Sequence, residues 1–413
     1  MPQTEAAPIP PFASPVRRLR RNSVPPLHRL PTLRRFAVVA AAGSILLSAC
    51  GSGSPMASPD GTTGTPVSAA ASTPVDSVGN GTGSQGGAAG AGASPTSPAA
   101  STPGSAPGTP AAAATWPFPN GLMIVDRGNG RLIVVDNAKK IVWQFPVAGS
   151  MPKGLAFSAD DAFFSPDGQT IVASDEGRHI VYRIDIATKK VIWSYGHYDA
   201  AGSAKGYLNT PDDAYPLTNG DIVVADINNC RILQIAPDKS IVRQWGTTGV
   251  CIDNAPRSYG APNGDTPLPD GGLLITVIHG SRLVRLSATG QVIFDIRLPI
   301  AYPSDAQLLP SGNIIVAAYT NPGAVIEVTP AGKLVWRYAP TSGSGRLNHP
   351  SLATPLANGL VSINDDDRQR MIVIDPKTMK IVWQYGKTDV AGSGPGYLSD
   401  PDGHQPVPAN VTF

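Results

Sequence analysis

One five-residue phrase recurs along the chain and constrains its fold more than any other feature. It consists of two aliphatic residues, a Trp, a variable residue and an aromatic residue, and two degenerate copies carry Arg243 or Phe294 where the others have Trp. The copies lie at residues 141–145, 191–195, 241–245, 292–296, 334–338 and 381–385. Their spacing of 42 to 51 residues is typical of propeller blades, each built from several strands.

The strands within one repeat can be read in the third copy. Residues 213–217, 221–225, 231–236 and 240–245 are short strand-like runs, and Asn219-Gly220 separates the first two. Asn-Gly between apolar runs is a strong signal for a tight β-hairpin. Similar turns occur in four other repeats. The chain is therefore predicted to be all-β, a six-bladed β-propeller of four-stranded antiparallel blades.

The C-terminus is predicted to close the ring of blades. Residues 401–408 repeat the phrase that opens the third blade at 211–216, whereas the first blade begins at Asn120-Gly121 without an innermost strand. The last segment of the chain can supply that strand. Such closure leaves no exposed end strands, which are a liability of open sheets.

The N-terminal region has the pattern of an export signal. Leu33-Arg34-Arg35 precedes an uncharged run over 36–49 that is too short to span a bilayer. The segment Leu47-Ser48-Ala49-Cys50 resembles the bacterial lipobox, in which the cysteine is diacylated after cleavage. The resemblance implies a lipoprotein signal region over 1–49, a lipid on Cys50 and a location in the cell envelope, on the extracytoplasmic side of the membrane. A buried apolar helix with an incidental thiol is the alternative.

A disordered tether is predicted between the anchor and the propeller. Residues 50–115 consist almost wholly of Gly, Ser, Ala, Pro and Thr after the cysteine. Such a segment cannot bury enough apolar surface to offset the entropy lost on ordering. Regular strand-like runs begin near Trp116, so the propeller domain is predicted over 116–413.

The charge distribution argues against nucleic acid as a partner. The formal net charge is +2, but residues 1–49 contain seven Arg and one Glu. The rest of the chain is mildly acidic and carries no basic footprint for nucleic acid. The predicted partners are the membrane, through lipidated Cys50, and an unidentified surface protein or small-molecule ligand.

The repeats resemble two groups of propeller proteins. The run VADINNCRI at 224–232 is similar to NHL repeats, and the run IDPKTMKIVW at 374–383 is similar to pyrroloquinoline-quinone-like repeats. The resemblance covers about residues 118–413. It implies the propeller fold, which hosts many unrelated functions.

Polar residues concentrate where innermost strands begin and where second strands end. In this topology both points lie on one face around the propeller axis, together with the blade-to-blade loops. The first position holds Asp161, Asp213, Asp265, Asp305 and His404, and the second holds Asp126, Asp175, Asp226, His279 and Asp365. The axial face is therefore predicted to be acidic.

Converging carboxylates of this kind suit Ca²⁺ or another hard cation. They resemble the axial metal site of six-bladed lactonase-like hydrolases, which implies metal-assisted chemistry. The candidate metal or ligand-binding residues are Asp161, Asp213, Asp265, Asp305 and Asp365. His404 and His279 are candidate catalytic acids or bases. No certain cofactor is predicted, and Ca²⁺ is the one considered.

A structural role is the alternative for the carboxylates at the ends of second strands. Each of three has an Arg three to five residues further on, and the pairs are Asp126 with Arg131, Asp175 with Arg178, and Asp226 with Arg231. Ion pairing within the turn would then account for these residues.

Two cysteines remain once Cys50 is assigned to the lipid. Cys230 lies in the turn between two strands of the third blade, and Cys251 lies in the loop that leaves it. The topology places both on the same face, and an oxidising compartment favours pairing. A disulfide is predicted, with two free thiols as the alternative.

Two blade-to-blade loops are near copies of each other and project one Tyr each. Residues 196–210 carry Tyr207 and residues 386–400 carry Tyr397. Repetition favours a structural role, while a position beside the acidic mouth favours ligand binding.

The leading functional hypothesis is a cell-envelope scaffold that binds a ligand or protein through the loop-rich axial face. The alternative is an extracytoplasmic metal-dependent hydrolase or lyase. An arylsulfotransferase-like enzyme is a third possibility by analogy, although no matching His motif is present.

Overall fold

The computed structural model describes residues 116–413, which form six antiparallel sheets. The predicted signal region, the anchor at Cys50 and the tether lie outside the described residues. Each sheet is one blade of a propeller ring, so the predicted six-bladed architecture is confirmed. Within 116–413, no helix is long and apolar enough to cross a membrane.

The strands follow the repeat, with each blade running from the innermost to the outermost strand. Blade one is β23 (Pro401–Pro406), β1 (Leu122–Asp126), β2 (Arg131–Val135) and β3 (Ile141–Phe145). Blade two is β4 (Ala162–Phe164), β5 (Thr170–Asp175), β6 (Ile180–Asp185) and β7 (Lys190–Gly196), and blade three is β8 (Pro211–Pro216), β9 (Ile222–Asp226), β10 (Arg231–Ile235) and β11 (Ile241–Trp245). Blade four contains β12 (Leu273–Val277), β13 (Arg282–Leu286) and β14 (Val292–Arg297). Blade five is β15 (Pro303–Leu308), β16 (Ile314–Ala318), β17 (Ala324–Val328) and β18 (Leu334–Tyr338), and blade six is β19 (Ala353–Pro355), β20 (Val361–Asp365), β21 (Arg370–Asp375) and β22 (Lys380–Gly386).

Short 3₁₀ turns follow the second strand of four blades. They span Arg127–Asn129, Glu176–Arg178, Ile227–Asn229 and Asp366–Arg368. Each ends at a residue with positive φ, which turns the chain into the third strand. These turns lie at the axial face, so they set which side chains reach it.

The recurring Trp of the outermost strand fastens one blade to the next. The indole nitrogen of Trp143 donates a hydrogen bond to the Ile186 carbonyl at 3.0 Å. Trp193 and Trp336 make the same kind of bond to carbonyls of the following blade, at 2.9 and 3.1 Å. Packing between neighbouring blades therefore explains why the phrase repeats.

The C-terminal strand closes the ring as predicted. In β23, His404 pairs with Ile124 and Pro406 pairs with Leu122 of β1. The last strand of the chain therefore becomes the innermost strand of blade one, so the two ends of the propeller domain are held together by backbone hydrogen bonds within that blade.

Blade four departs from the regular pattern at its inner edge. Its innermost segment forms no regular strand but pairs with β12 through isolated bridges, from Pro262 to Val277 and from Pro267 to Leu273, and through backbone hydrogen bonds between them. Gly264 lies between them, and a Cβ there would meet the Asp305 carboxylate at 3.0 Å. Glycine thus lets the backbone approach the neighbouring blade closely, beside Asp265.

The predicted disulfide is confirmed. Cys230 and Cys251 are bonded, with their Cα atoms 5.2 Å apart. Cys230 lies at the end of the 3₁₀ turn of blade three, with positive φ. The bond ties the long loop between blades three and four to this turn.

Candidate axial site

A polar pocket opens at the centre of the axial face. It encloses about 350 Å³, part of it open to solvent. Its lining comes from five of the six blades and consists of Arg127, Asp160, Asp161, Glu176, Asp212, Asn263, Tyr302, Ser304, Tyr319 and Asp402. Five carboxyl groups thus surround a single guanidinium group.

Two repeated positions supply most of this lining. Asp160, Asp212 and Asp402 lie at or just before the start of an innermost strand, whereas Arg127 and Glu176 directly follow a second strand. Both points belong to the same end of the blades, as the sequence predicted. The pocket therefore forms at equivalent positions of the repeat, and these positions carry different side chains in different blades.

Arg127 supplies the positive charge in the pocket. Its guanidinium group forms ion pairs with Asp160 and Asp402 and approaches the Glu176 carboxylate at 2.9 Å. Burial opposes the charge on Arg127, but the surrounding carboxylates raise its pKa well above the usual range. The Arg127 guanidinium thus offsets part of the negative charge of the pocket carboxylates.

Three carboxyl groups of the pocket have the spacing of a cation site. Oxygens of Asp160, Asp161 and Asp402 lie within 4.8 Å of one another, and all three residues are buried. Oxygen ligands 2.3–2.6 Å from one Ca²⁺ are at most about 5 Å apart. The donor set is all oxygen, which suits a hard cation.

The excess of buried carboxyl groups changes their protonation. Burial raises the pKa of Asp212 to about 7, while a hydrogen bond with Asp160 opposes the rise. Burial raises the pKa of Asp160 well above its ordinary value, and the Arg127 charge only partly counteracts this. For Asp161, burial and then the charges of Asp402 and Asp212 raise the pKa. Without a further cation, the cluster must hold protons.

A second set of buried carboxyl groups lies further inside the propeller. It consists of Asp213, Asp265 and Asp305 and is called the inner tier. Asp305 accepts hydrogen bonds from Gln307 at 2.7 Å and from Thr266 at 3.0 Å. Asp265 is fully buried, and neither of its carboxyl oxygens has a hydrogen-bond partner. Burial, followed by the charges of Asp212 and Asp305, raises the pKa of Asp265 well above the ordinary value.

Asp213 connects the members of this inner tier. It is buried, and burial together with the charges of Asp161 and Asp305 raises its pKa well above the ordinary value. One of its oxygens has no hydrogen-bond donor facing it. A buried polar atom without a partner is costly, so a proton or a bound cation is expected here.

Two tyrosines form the aromatic side of the pocket. The rings of Tyr302 and Tyr319 are 5.3 Å apart, and the His349 ring lies 4.8 Å from Tyr319. Burial and the Asp402 and Asp366 charges raise the pKa of Tyr319. Its hydroxyl group therefore stays protonated at neutral pH.

The candidate histidines lie outside this pocket. His404 is buried, and its ring nitrogens contact the Asn364 side-chain oxygen and the Ser362 hydroxyl, the latter at 2.7 Å. Burial lowers the pKa of His404 to about 3. His279 lies beside Gly260 and Asp253, in the region that the disulfide holds.

The carboxylates at the ends of second strands are held in ion pairs. Asp365 contacts the Arg370 guanidinium at 2.7 Å and accepts the Asn348 backbone N–H at 2.7 Å. The equivalent distances are 2.6 Å from Asp126 to Arg131, 2.7 Å from Asp226 to Arg231 and 3.8 Å from Asp175 to Arg178. For Asp126, Asp175 and Asp226, the structure therefore shows the ion pairs that the sequence offered as the alternative to a cation site.

Three pocket residues that sequence reasoning missed lie next to acidic positions that it considered. Arg127 follows Asp126, Glu176 follows Asp175, and Asp160 precedes Asp161. Arg127 and Glu176 belong to the 3₁₀ turns that begin directly after the strands, so a shift of one residue decides which group lines the pocket. The Asp-Asp pairs at 160–161 and 212–213 were the sequence signal that could have identified Asp160 and Asp212. Tyr302 and Tyr319 had none, because they interrupt the repeat.

Tyr207 and Tyr397 pack on their own loops. Tyr207 stacks on His197, with ring centroids 3.9 Å apart, and Lys387 lies over the Tyr397 ring at 4.0 Å. A Cβ added to Gly202 would lie 2.7 Å from the Tyr207 ring, and Gly392 is similarly close to Tyr397. The two tyrosines brace copied loops and do not line the axial pocket.

No family model matches the chain. A curated relative, a probable peptidyl-alpha-hydroxyglycine alpha-amidating lyase of Caenorhabditis elegans, is 25% identical over 178 residues, which is 42% of this chain. The chain thus spans 48% of the length of that relative. A protein of unknown function from Bacteroides caccae has a similar structure, with a TM-score of 0.52 and 19% identity over 70% of this chain and 99% of that one. Virginiamycin B lyase from Staphylococcus aureus matches with a TM-score of 0.41 and 17% identity, over 56% of this chain and 70% of the lyase. The Bacteroides likeness supports the fold alone, and that fold is a six-bladed β-propeller.

Proposed function

We propose that the axial pocket binds a divalent cation and that the protein is a cation-dependent lyase or hydrolase. The observation that carries this proposal is the buried Asp265 carboxyl group, without a partner for either oxygen, beneath a pocket with five carboxyl groups and one guanidinium. Such an arrangement is costly for stability alone. Clusters of groups with raised pKa values are typical of functional sites.

Asp160, Asp161 and Asp402 are the residues that would hold the cation. Ca²⁺ is the cation we favour, because the donors are all carboxylate oxygens. When bound, the cation would act as a Lewis acid that polarises an oxygen of the substrate. Arg127 shares two of these carboxylates, so its ion pairs compete with the cation.

The remaining pocket residues have distinct chemical capacities. Tyr319 keeps its proton at neutral pH and can donate it to a leaving group. Arg127 can stabilise negative charge that develops on the substrate. Glu176 and Asp402 hold the guanidinium in place.

The lyase alternative is supported by the similarity to the Caenorhabditis elegans relative, a probable peptidyl-alpha-hydroxyglycine alpha-amidating lyase. The scaffold interpretation has less support, because Tyr207 and Tyr397 are committed to their own loops. The pocket is lined almost wholly by charged and polar side chains, which suits a cation and the polar end of a small molecule.

We further propose that the protein works outside the cytoplasm, anchored through a lipid on Cys50. The support is the lipobox-like segment and the composition of the tether. The disulfide agrees with an oxidising compartment.

Calcium binding by the full-length protein tests the proposal. We expect stoichiometric metal and a melting temperature that falls when the metal is chelated. Asp402→Asn should abolish the calcium-dependent shift, and Arg127→Gln should increase calcium affinity by freeing two carboxylates. Asp238→Asn is the matched control, because Asp238 is exposed and caps its own turn. A wild-type melting temperature indifferent to calcium and chelator would refute cation dependence.

Activity is the second test. Esters, lactones and a peptidyl-α-hydroxyglycine, the class named for the relative, should be screened with and without calcium. Turnover that requires calcium and is lost in Asp402→Asn would support an enzyme. If the protein binds calcium but turns over none of these substrate classes, a binding role would be favoured over an enzymatic one.

A further inference from the structure

A second cavity lies on the axial face, at the end of blade five where β16 ends and β17 begins. It encloses about 430 Å³. Its floor is apolar, with Ile300, Ala318, Pro322 and Ala339 among the lining residues. The β15, β16, β17 and β18 strands lie side by side below it. The cavity therefore forms a groove that leads outward from the propeller axis.

The groove and the axial pocket share one wall. Tyr302 and Tyr319 line the axial pocket, while their chain neighbours Ala301, Ala318 and Thr320 line the groove. The two rings are 5.3 Å apart, and Tyr302 is 36% exposed. The aromatic pair thus lies next in the chain to residues that line the groove.

Arg337 lies at the outer side of the groove, on the outermost strand β18. It is exposed, and within residues 116–413 its side chain has no hydrogen bond or ion pair. Most arginines around the axial pocket are paired, as Arg127 and Arg370 are. An unpaired guanidinium beside an apolar floor favours a carboxylate on an apolar body.

We propose that the groove is a substrate subsite and that the substrate is an elongated amphipathic carboxylate. Its polar reacting end lies in the axial pocket, its apolar body crosses Tyr302 and Tyr319, and its carboxylate binds Arg337. This inference rests on the proposed function of the axial pocket, because it names the molecule on which that pocket acts.

The architecture sets the length of this substrate. Three inter-strand spacings separate the innermost strand β15 from the outermost strand β18. At about 4.8 Å each, they give roughly 14 Å between the axial pocket and Arg337. A shorter molecule reaches only one of the two polar ends.

Linear alkane α,ω-dicarboxylates of increasing length serve as molecular rulers, and monocarboxylates of equal length serve as their controls. Binding to the full-length protein is measured by calorimetry in excess calcium. We expect affinity to pass through a maximum when the two carboxylates are about 14 Å apart. At that length the dicarboxylate should bind about tenfold more tightly than the monocarboxylate, as a charge-assisted hydrogen bond allows.

Variants of the groove test the assignment of Arg337. Arg337→Ala should remove the tenfold preference and the length optimum but leave monocarboxylate binding unchanged, and Arg337→Lys should restore part of the preference. Lys333→Ala is the matched control, because Lys333 is exposed and lies at the opposite end of the same strand. A preference that survives in Arg337→Ala, or no binding to the wild type at millimolar concentration, would overturn the subsite.

The two proposals fail in different ways. Asp402→Asn should weaken mono- and dicarboxylates equally, because both need the axial cation. If Asp402→Asn has no effect while Arg337→Ala removes the preference, the groove holds a carboxylate and the axial cation is wrong. If only Asp402→Asn has an effect, the subsite is wrong and the axial cation stands.

Discussion

Replacement of Asp265 by Asn is expected to stabilise the cation-free protein, and more strongly as the pH rises. Both oxygens of Asp265 are buried without a partner, and burial raises its pKa well above the ordinary value. The folded protein therefore keeps a proton that the unfolded chain releases. The wild type has its full stability from this group below a pH of about 4, and loses it as the pH rises towards the folded pKa.

The magnitude follows from proton linkage. Each pH unit over which folded Asp265 keeps its proton while the unfolded chain has lost it costs about 1.4 kcal/mol of unfolding free energy. For a domain of about 300 residues, this corresponds to about 3 °C in melting temperature. Asparagine has nearly the same shape and no proton to lose, so Asp265→Asn avoids this cost.

The assay is thermal unfolding of the full-length protein in a chelator at about pH 5, 6 and 7. The advantage of Asp265→Asn over the wild type should grow with pH, by up to about 3 °C per pH unit until the pH passes the folded pKa, and excess calcium should reduce it. Asp238→Asn, on an exposed turn, should show no such trend. An advantage that is constant with pH, or a variant less stable than the wild type in chelator, would refute the reasoning.

Three further outcomes are expected. Replacing Cys230 and Cys251 together by Ser should lower the unfolding free energy by about 3 kcal/mol in non-reducing urea titrations, because the bond spans 21 residues; an unchanged midpoint would contradict this. The His404 imidazole should show no NMR titration between about pH 5 and 8, since burial lowers its pKa to about 3; a midpoint near 6.5 would show that its burial is misjudged. Tyr319→Phe should slow turnover of any substrate found in the screen about a hundredfold or more, as loss of a general acid does, with the melting temperature unchanged. A turnover number equal to that of the wild type would exclude Tyr319 as the proton donor.

Much of the fold could be predicted from the sequence because the repeat encodes it locally. The outermost-strand phrase and the turn residues specified six blades, and the likeness of 401–408 to 211–216 specified the closure seen between β23 and β1. The pairing of Cys230 with Cys251 followed from their places in one blade and its exit loop. These features depend on alternation and on turns, which short stretches of sequence determine.

The acidic character of the axial face could also be predicted, and the candidate Asp161 does line the pocket, but most of the lining could not be predicted. For Asp126 and Asp175 the sequence offered ion pairing as an alternative, and the structure pairs them with Arg131 and Arg178. The pocket is lined instead by residues next to them in the chain, as Arg127 shows. The difference is one residue: Arg127 begins the 3₁₀ turn that follows the strand, whereas Asp126 is the last residue of the strand.

The tertiary structure alone decided what converges at the axis. Asp402 is 242 positions away from Asp160 in the numbered chain, yet ring closure places their carboxylates within 4.8 Å of each other and around one Arg. The aromatic wall and the groove of blade five come from residues that break the repeat, so no periodic pattern announces them. Their neighbours are set by the packing of one blade against another, and that packing involves parts of the chain too distant for any local rule to relate.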